Sequence, residues 1–179
     1  MDKAKIIRLT VSLAEKKGWE KTSVREISKE IGYSTIKIYS DFGGKDGLLK
    51  EIQKEGFKKL KKLYAASINE NTDPVHQLVE LTKGHLKFAS ANTQLYELMF
   101  SLNGAVSSFP NPELLKDTGT LVRLLLEKID GELLRHRFYH WWSIAHGFFS
   151  ITMNNPLLRT EERESLLAEI VMDFATKKR

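Results

Sequence analysis

Ser34, Thr35, Lys37 and Ser40 place three short hydroxyls and one amine within seven consecutive residues. On the outer face of one short helix, such groups can donate to and accept from base edges and phosphate oxygens. A second group with chemical potential is made of histidines. His136 and His140 are four residues apart, which puts both rings on one helix face, a spacing that can hold a metal ion. No glutamate follows His136 as the zinc-protease pattern requires, and the chain has no cysteine, so a solvated or partner-facing pair is the simpler reading and no metal is assigned. His146 reads as a hydrogen-bonded interior histidine before it reads as a ligand. An enzyme using His136, His140 or His146 with a carboxylate such as Glu132 is a remote alternative. Nothing stands at nucleophile–base spacing, so no catalytic residue and no cofactor is assigned.

The hydroxyl-rich stretch needs elements to hold it. Ser23 followed by Glu26 has the spacing of a capping box and predicts a helix that buries Val24, Ile27 and Ile31. That helix ends at Gly32, which can take a positive φ and so permits a sharp turn. Ser34 is placed to cap the next helix, over 35–41. Ile38 then faces inward, while Ser34, Thr35, Lys37 and Ser40 face out. Two short helices joined this way, over about 23–42, lay one across a phosphate backbone and the next in a major groove. An earlier helix over 2–17 carries Ile6, Ile7, Leu9, Leu13 and Ala14 at helical spacing and stops at Gly18. Gly43-Gly44 breaks the chain, and a long helix over 45–68 follows, with Leu48, Leu49, Ile52, Phe57, Leu60 and Leu63 on its apolar side.

Charge supports a polyanion at this end. Of the 179 residues, the first 62 hold 16 Lys and Arg against nine Asp and Glu, a net +7, while the remainder nets −2. Lys54, Lys58, Lys59, Lys61 and Lys62 also fit a plain solvated helix face, and the coincidence with the two-helix motif favours the first reading. The N-terminus lacks a signal-peptide apolar segment and no apolar run is long enough to span a membrane, so a cytoplasmic protein with no membrane partner is expected. Gly and Pro divide the rest into further helices over 74–91, 93–105, 112–129, 132–154 and 160–177, with a loop over 106–111. An all-α chain of about nine helices results.

The motif residues resemble the N-terminal domain of the TetR family of bacterial transcriptional regulators. The resemblance covers about residues 4–50 and rests on Gly18, Thr22, Ile27, Gly32 and Ser34, with Tyr39, Phe42, Lys45 and Leu48 completing the family's tyrosine–phenylalanine–lysine–leucine spacing. It implies a three-helix DNA-binding domain over 1–62 and a helical ligand-binding and dimerisation domain over 63–179. Carried over by position, Tyr39 contacts a backbone phosphate through its hydroxyl. Lys45 holds a phosphate at the start of the fourth helix, and Thr22, with Ser23 beside it, touches the backbone at the start of the second. Phe42 packs. Three positions depart from the pattern. Ile36 stands where a small residue is usual, so either the helix sits farther from the groove or Ile36 meets a thymine methyl. Tyr33 replaces a valine or alanine in the turn, and Gly44 replaces a serine cap.

For the C-terminal part the resemblance implies a homodimer on a palindromic double-stranded operator, a repressor released by a small hydrophobic or aromatic effector. The sequence itself shows amphipathic helices. The helix over 132–154 is richest, with Leu133, Leu134, Phe138, Trp141, Trp142, Ile144, Ala145, Phe148, Phe149 and Ile151 on more than one face. With Leu166, Leu167, Ile170, Val171 and Phe174 of the last helix it could pair across a two-fold axis. Phe149, Leu167, Ile170, Val171 and Phe174 are the expected dimer contacts, and a monomer core that absorbs both faces is the alternative. Trp142, His146 and Gly147 repeat a pattern found in some C-terminal domains of the family. Phe88, Tyr96, Met99 and Phe100, together with Phe138, Trp142 and His146, form either a ligand pocket or ordinary core. A body that binds a protein and no inducer is the competing reading for this half.

Overall fold

The computed structural model describes residues 2–69, 71–100, 112–132, 135–153, 155 and 157–177. Among these, ten helices form: α1 (Lys3–Lys17), α2 (Val24–Ile31), α3 (Thr35–Phe42), α4 (Lys45–Ala66), α5 (Pro74–Ala91), α6 (Thr93–Met99), α7 (Pro112–Thr118), α8 (Thr120–Asp130), α9 (Arg135–Thr152) and α10 (Thr160–Thr176). No strand occurs among the described residues. The expected loop over 106–111, Leu133 and Leu134, and the expected helix ends at 105 and 154 lie outside them. No helix among the described residues is long and apolar enough to cross a membrane.

The helices gather into two units, one of Met1–Lys59 with Asn92–Leu115, the other of Leu60–Ala91 with Lys116–Arg179. The change of unit within α4 falls between Lys59 and Leu60, and α6 groups with the N-terminal residues. Long-range hydrogen bonds explain this. Trp19 Nε1 donates to the Gln94 carbonyl (2.8 Å), and Gln53 Nε2 donates to the Leu98 carbonyl (2.7 Å). Glu15 Oε1 accepts from the Gln94 and Leu95 amides at 3.1 and 3.3 Å, satisfying donors at the start of α6 that the helix itself cannot. The core of this unit is Ile6, Leu13, Trp19, Ile27, Ile38, Leu48, Leu49, Ile52 and Phe57, all buried. Phe100 meets Phe57 edge-on at 5.3 Å and Tyr96 at 4.8 Å.

In the other unit α5 packs against α8, α9 and α10, burying Leu78, Leu81, Val122, Leu125, Trp141, Ala145, Leu167 and Val171. Several of its buried polar groups are paired across helices. Trp141 Nε1 donates to Thr82 Oγ1 (2.8 Å), and the Tyr64 hydroxyl is hydrogen-bonded to His85 Nδ1. Arg137 is anchored by Asp130 (2.9 Å) and the Phe174 carbonyl (2.8 Å), with its guanidinium 4.0 Å from the Phe174 ring. The single helix expected over 112–129 is two, α7 and α8, broken at Gly119. The Lys116 carbonyl is taken by side chains, Thr120 Oγ1 and Arg123 Nη1, both at 2.9 Å. A Cβ on Gly119 would lie 2.8 Å from the Phe138 ring. That break makes ten helices where nine were expected.

Candidate nucleic-acid interface

Local chemistry builds the presenting elements. The capping box forms: Ser23 Oγ accepts from the Glu26 amide (3.2 Å) and Glu26 Oε2 accepts from the Ser23 amide (3.4 Å). Gly32 is left-handed at φ 63° and closes α2, after which the Ser28 hydroxyl donates to the Tyr33 carbonyl. Ile27, Ile31 and Ile38 are buried and Val24 is half-buried, so α2 and α3 are held by their inner faces. Tyr33, one of the departures from the family pattern, is buried, and its hydroxyl donates to Asp41 Oδ2 (2.5 Å). Asp41 also accepts from Lys37 Nζ (3.3 Å), and its carbonyl accepts from Lys3 Nζ (2.8 Å). The Tyr33 hydroxyl, and then Lys37, hold the Asp41 carboxyl below its ordinary range, while the same contact raises the Tyr33 phenol. This clasp ties the turn to the far end of α3. The i,i+4 spacing of Lys37 and Asp41 was a visible signal for part of it; the tyrosine partner was not.

The outer face of α3 carries the residues the sequence placed there. Ser34, Ile36, Lys37, Tyr39 and Ser40 are exposed and Thr35 is half-buried. Ser34 stands at the cap position but its side chain makes no cap hydrogen bond, contrary to expectation. Ser23 is exposed at the start of α2. Thr22 is different. It is fully buried, and its hydroxyl donates to the Gly18 carbonyl at 2.7 Å, so its side chain shapes the α1–α2 turn. The Tyr39 ring lies on Gly44: a Cβ there would stand 2.9 Å from Tyr39 Cε1, and Gly44 has φ 101°. A serine could fit neither the space nor the backbone without strain. That departure thus seats Tyr39 beside the residue preceding Lys45, whose Nζ reaches the Trp19 carbonyl (3.4 Å). Tyr39 and Lys45 therefore sit at the same end of α4, beside its unpaired first amides.

The residues expected to line a ligand pocket fall in both units. Tyr96, Met99 and Phe100 are buried in the first unit, while Phe88, Phe138, Trp142 and His146 belong to the second. There the Trp142 and His146 rings are 4.7 Å apart and His146 stands 5.8 Å from His85. Burial pushes His85 down to about 3 and His146 to about 4, so both are neutral at ordinary pH. Phe149, Leu167 and Val171 are buried within a single copy, and Ile170 and Phe174 half-buried, so an apolar stripe read as an interface is largely the unit's own core. The surface apolar residues of α9 and α10 are instead Tyr139, Ile151, Leu166 and Met172. His136 and His140 are exposed with ring centroids 5.6 Å apart, and no third His, Cys, Asp or Glu among the described residues joins them in a metal-holding group.

Comparison with known proteins agrees with this arrangement. Residues 6–52 match the model of bacterial regulatory proteins of the tetR family, and residues 78–174 match the tetracyclin repressor-like C-terminal domain. A 69-residue stretch is 39% identical to the HTH-type transcriptional regulator BetI of Vibrio campbellii (strain ATCC BAA-1116), covering 38% of this chain and 33% of that protein; the match thus spans about one third of the relative's length. The fold is similar to that of PfmR, a TetR family transcriptional regulator from Thermus thermophilus, with a TM-score of 0.70 and 20% identity over 94% of this chain and 97% of that one. A tetR-family regulatory protein from Rhodococcus RHA1 gives 0.77 at 13% identity, with full coverage of both chains. A TetR variant from Acinetobacter baumannii AYE, solved with minocycline, gives 0.71 at 12% identity over 98% of this chain and 94% of that one. The C-terminal match alone covers more than half of the residues, and the chain belongs to the TetR family of bacterial transcriptional regulators.

Proposed function

We propose that the protein is a homodimeric, sequence-specific repressor whose hold on a palindromic operator is released by a small effector bound in its helical body. The observation that carries the DNA reading is the outer face of α3. Ile36, Lys37, Tyr39 and Ser40 are exposed together on a helix held firmly from behind by Ile38 and the Tyr33–Asp41 clasp. In this reading Thr35, Ile36, Lys37 and Ser40 meet base edges, and Ser23, Ser34, Tyr39 and Lys45 meet phosphates. The Ile151, Leu166 and Met172 surfaces of α9 and α10 support pairing of two copies, which palindromic half-sites require. Helix α4 carries both Lys45 and Tyr64, so a rearrangement around Tyr64 acts on the same helix that holds a phosphate. An effector shifts this equilibrium only by binding the released form better than the DNA-bound one.

Mobility shift against fragments of the surrounding genomic sequence, in excess nonspecific duplex, tests the reading. One fragment should be retained, and Lys37→Ala or Tyr39→Phe should weaken retention roughly tenfold, on the order of 1–2 kcal/mol for each hydrogen bond to DNA that is removed. Retention that is indifferent to sequence would overturn it. Sedimentation of the Ile151→Glu, Leu166→Glu double variant should show monomers if these surfaces pair the copies.

A further inference from the structure

An open cleft in the second unit includes in its lining, of the residues expected to hold a ligand, Phe138. Leu124, Leu126 and Phe138 of α8 and α9 line it with apolar surface and Lys116, Arg123 and Arg135 with positive charge, against a single acid among the described residues, Glu127. Its volume of about 620 Å³ is within the span of roughly 300–1,000 Å³ typical of small-molecule sites.

The cations are positioned with care. Arg123 Nη1 donates to the Lys116 carbonyl at 2.9 Å, and its guanidinium stands 4.0 Å above the Phe138 ring. Arg135 lies 5.9 Å from the Tyr139 ring, which also borders the cleft. Gly119 leaves room for the Arg123–Phe138 pair: a Cβ there would come within 2.8 Å of the ring and 3.1 Å of Arg123 Nη1. Among the described residues no carboxylate lies in ion-pair range of Lys116, Arg123 or Arg135. That is uncommon for a half-buried arginine, since a desolvated cation is costly without a counter-ion. Burial lowers the Arg123 pKa accordingly. On the neighbouring helix, Arg137 shows the usual solution, a 2.9 Å pair with Asp130.

We propose that this cleft binds a small amphipathic anion, a carboxylate or phosphate ester with an apolar body, its acid group on Arg123 and Arg135 and its body on Leu124, Leu126 and Phe138. A guanidinium fork offers paired donors to either acid group. Three cations against one acid disfavour a neutral or cationic ligand of the same shape. The inference rests on reading the helical body as an effector domain and names the class of effector.

Calorimetric titration of the full chain with sodium decanoate, decyl phosphate, decan-1-ol and decylamine, all below their micellar concentrations, tests it. One or both anions should bind, and the alcohol and amine at least tenfold more weakly; the ratio of decanoate to decyl phosphate separates carboxylate from phosphate recognition. Arg123→Gln and Arg135→Gln should each weaken anion binding at least tenfold, while Arg123→Lys retains part of it, with thermal melts verifying that each variant folds. Equal binding of decan-1-ol and decanoate, or anion affinity unchanged in both glutamine variants, would overturn the proposal. So would a shift of the monomer–dimer equilibrium on Arg123→Gln without any anion binding, since a second copy would then occupy the cleft. An anion that binds through Arg123 yet leaves operator affinity unchanged supports the cleft and removes only the release mechanism.

Discussion

Ile36 keeps 80% of its surface in solvent at the second position of α3, and Tyr39 on the same helix keeps 60%. The neighbouring Thr35 and Lys37 are polar, so nothing in the unit itself covers Ile36. Of the two readings open from sequence, a helix standing off the groove would leave this apolar surface wet in the complex, whereas a thymine methyl would cover it. Burying one methyl-sized contact contributes about 1 kcal/mol, roughly fivefold in affinity. Once an operator is selected from random duplexes, each thymine can be replaced by uracil, which removes only the methyl. One position replaced together with its symmetry mate removes two such contacts and should cost about 2 kcal/mol, roughly 25-fold. Ile36→Ala should cost a similar amount on the thymine duplex and make the protein indifferent to that replacement. Uracil tolerated at every position would exclude the methyl contact.

At the scale of elements, α2 and α3 have eight residues each, far below the length at which a helix holds itself in water. Their persistence depends on caps and on the inner isoleucines. Ser23→Ala removes the capping box and should lower stability by about 1 kcal/mol, read as a lower thermal midpoint. Gly44→Ala should be worse for binding than for folding. It forces a side chain into φ 101° and displaces the Tyr39 ring, so operator affinity should fall by more than the melt predicts. These elements were legible because their signals are local: Ser23 with Glu26, Gly32 and Gly43-Gly44 all lie within a turn of what they control. What was not legible depends on partners that spacing does not reveal. The break at Gly119 is set by Phe138, the place of α6 by Trp19, Glu15 and Gln53, and the burial of Thr22 by the Gly18 carbonyl. Leu167 and Val171 show a different limit, since an apolar helical stripe looks the same whether its own unit or a second copy covers it.

Across the whole molecule, charge and burial are divided between the two ends of the sequence. The positive excess lies in the first 62 residues, while the second unit encloses neutral histidines beside Tyr64, Trp141 and Trp142. That enclosure makes stability depend on pH in a defined direction. His85 titrates at about 3 when folded, against about 6.5 when exposed, because burial disfavours its charged form. The unfolded chain therefore binds a proton that the folded chain refuses. The contribution of a neutral His85 is fully present above pH 6.5 and is lost as pH falls from there toward 3. At pH 5 the loss is about 2 kcal/mol for this one residue, and His146, depressed to about 4 by the same cause, adds in the same direction. The depressed carboxylates Glu30, Asp41, Glu80 and Glu162 act lower, losing their contribution only as pH falls below the ordinary carboxylate range. Thermal melts between pH 7.5 and 5 thus isolate the histidines. The midpoint should fall steadily across that interval, and His85→Gln, whatever its midpoint at pH 7.5, should flatten the slope by about half or more. A slope unchanged in this variant would mean that His85 is hydrated and readily protonated in the folded chain.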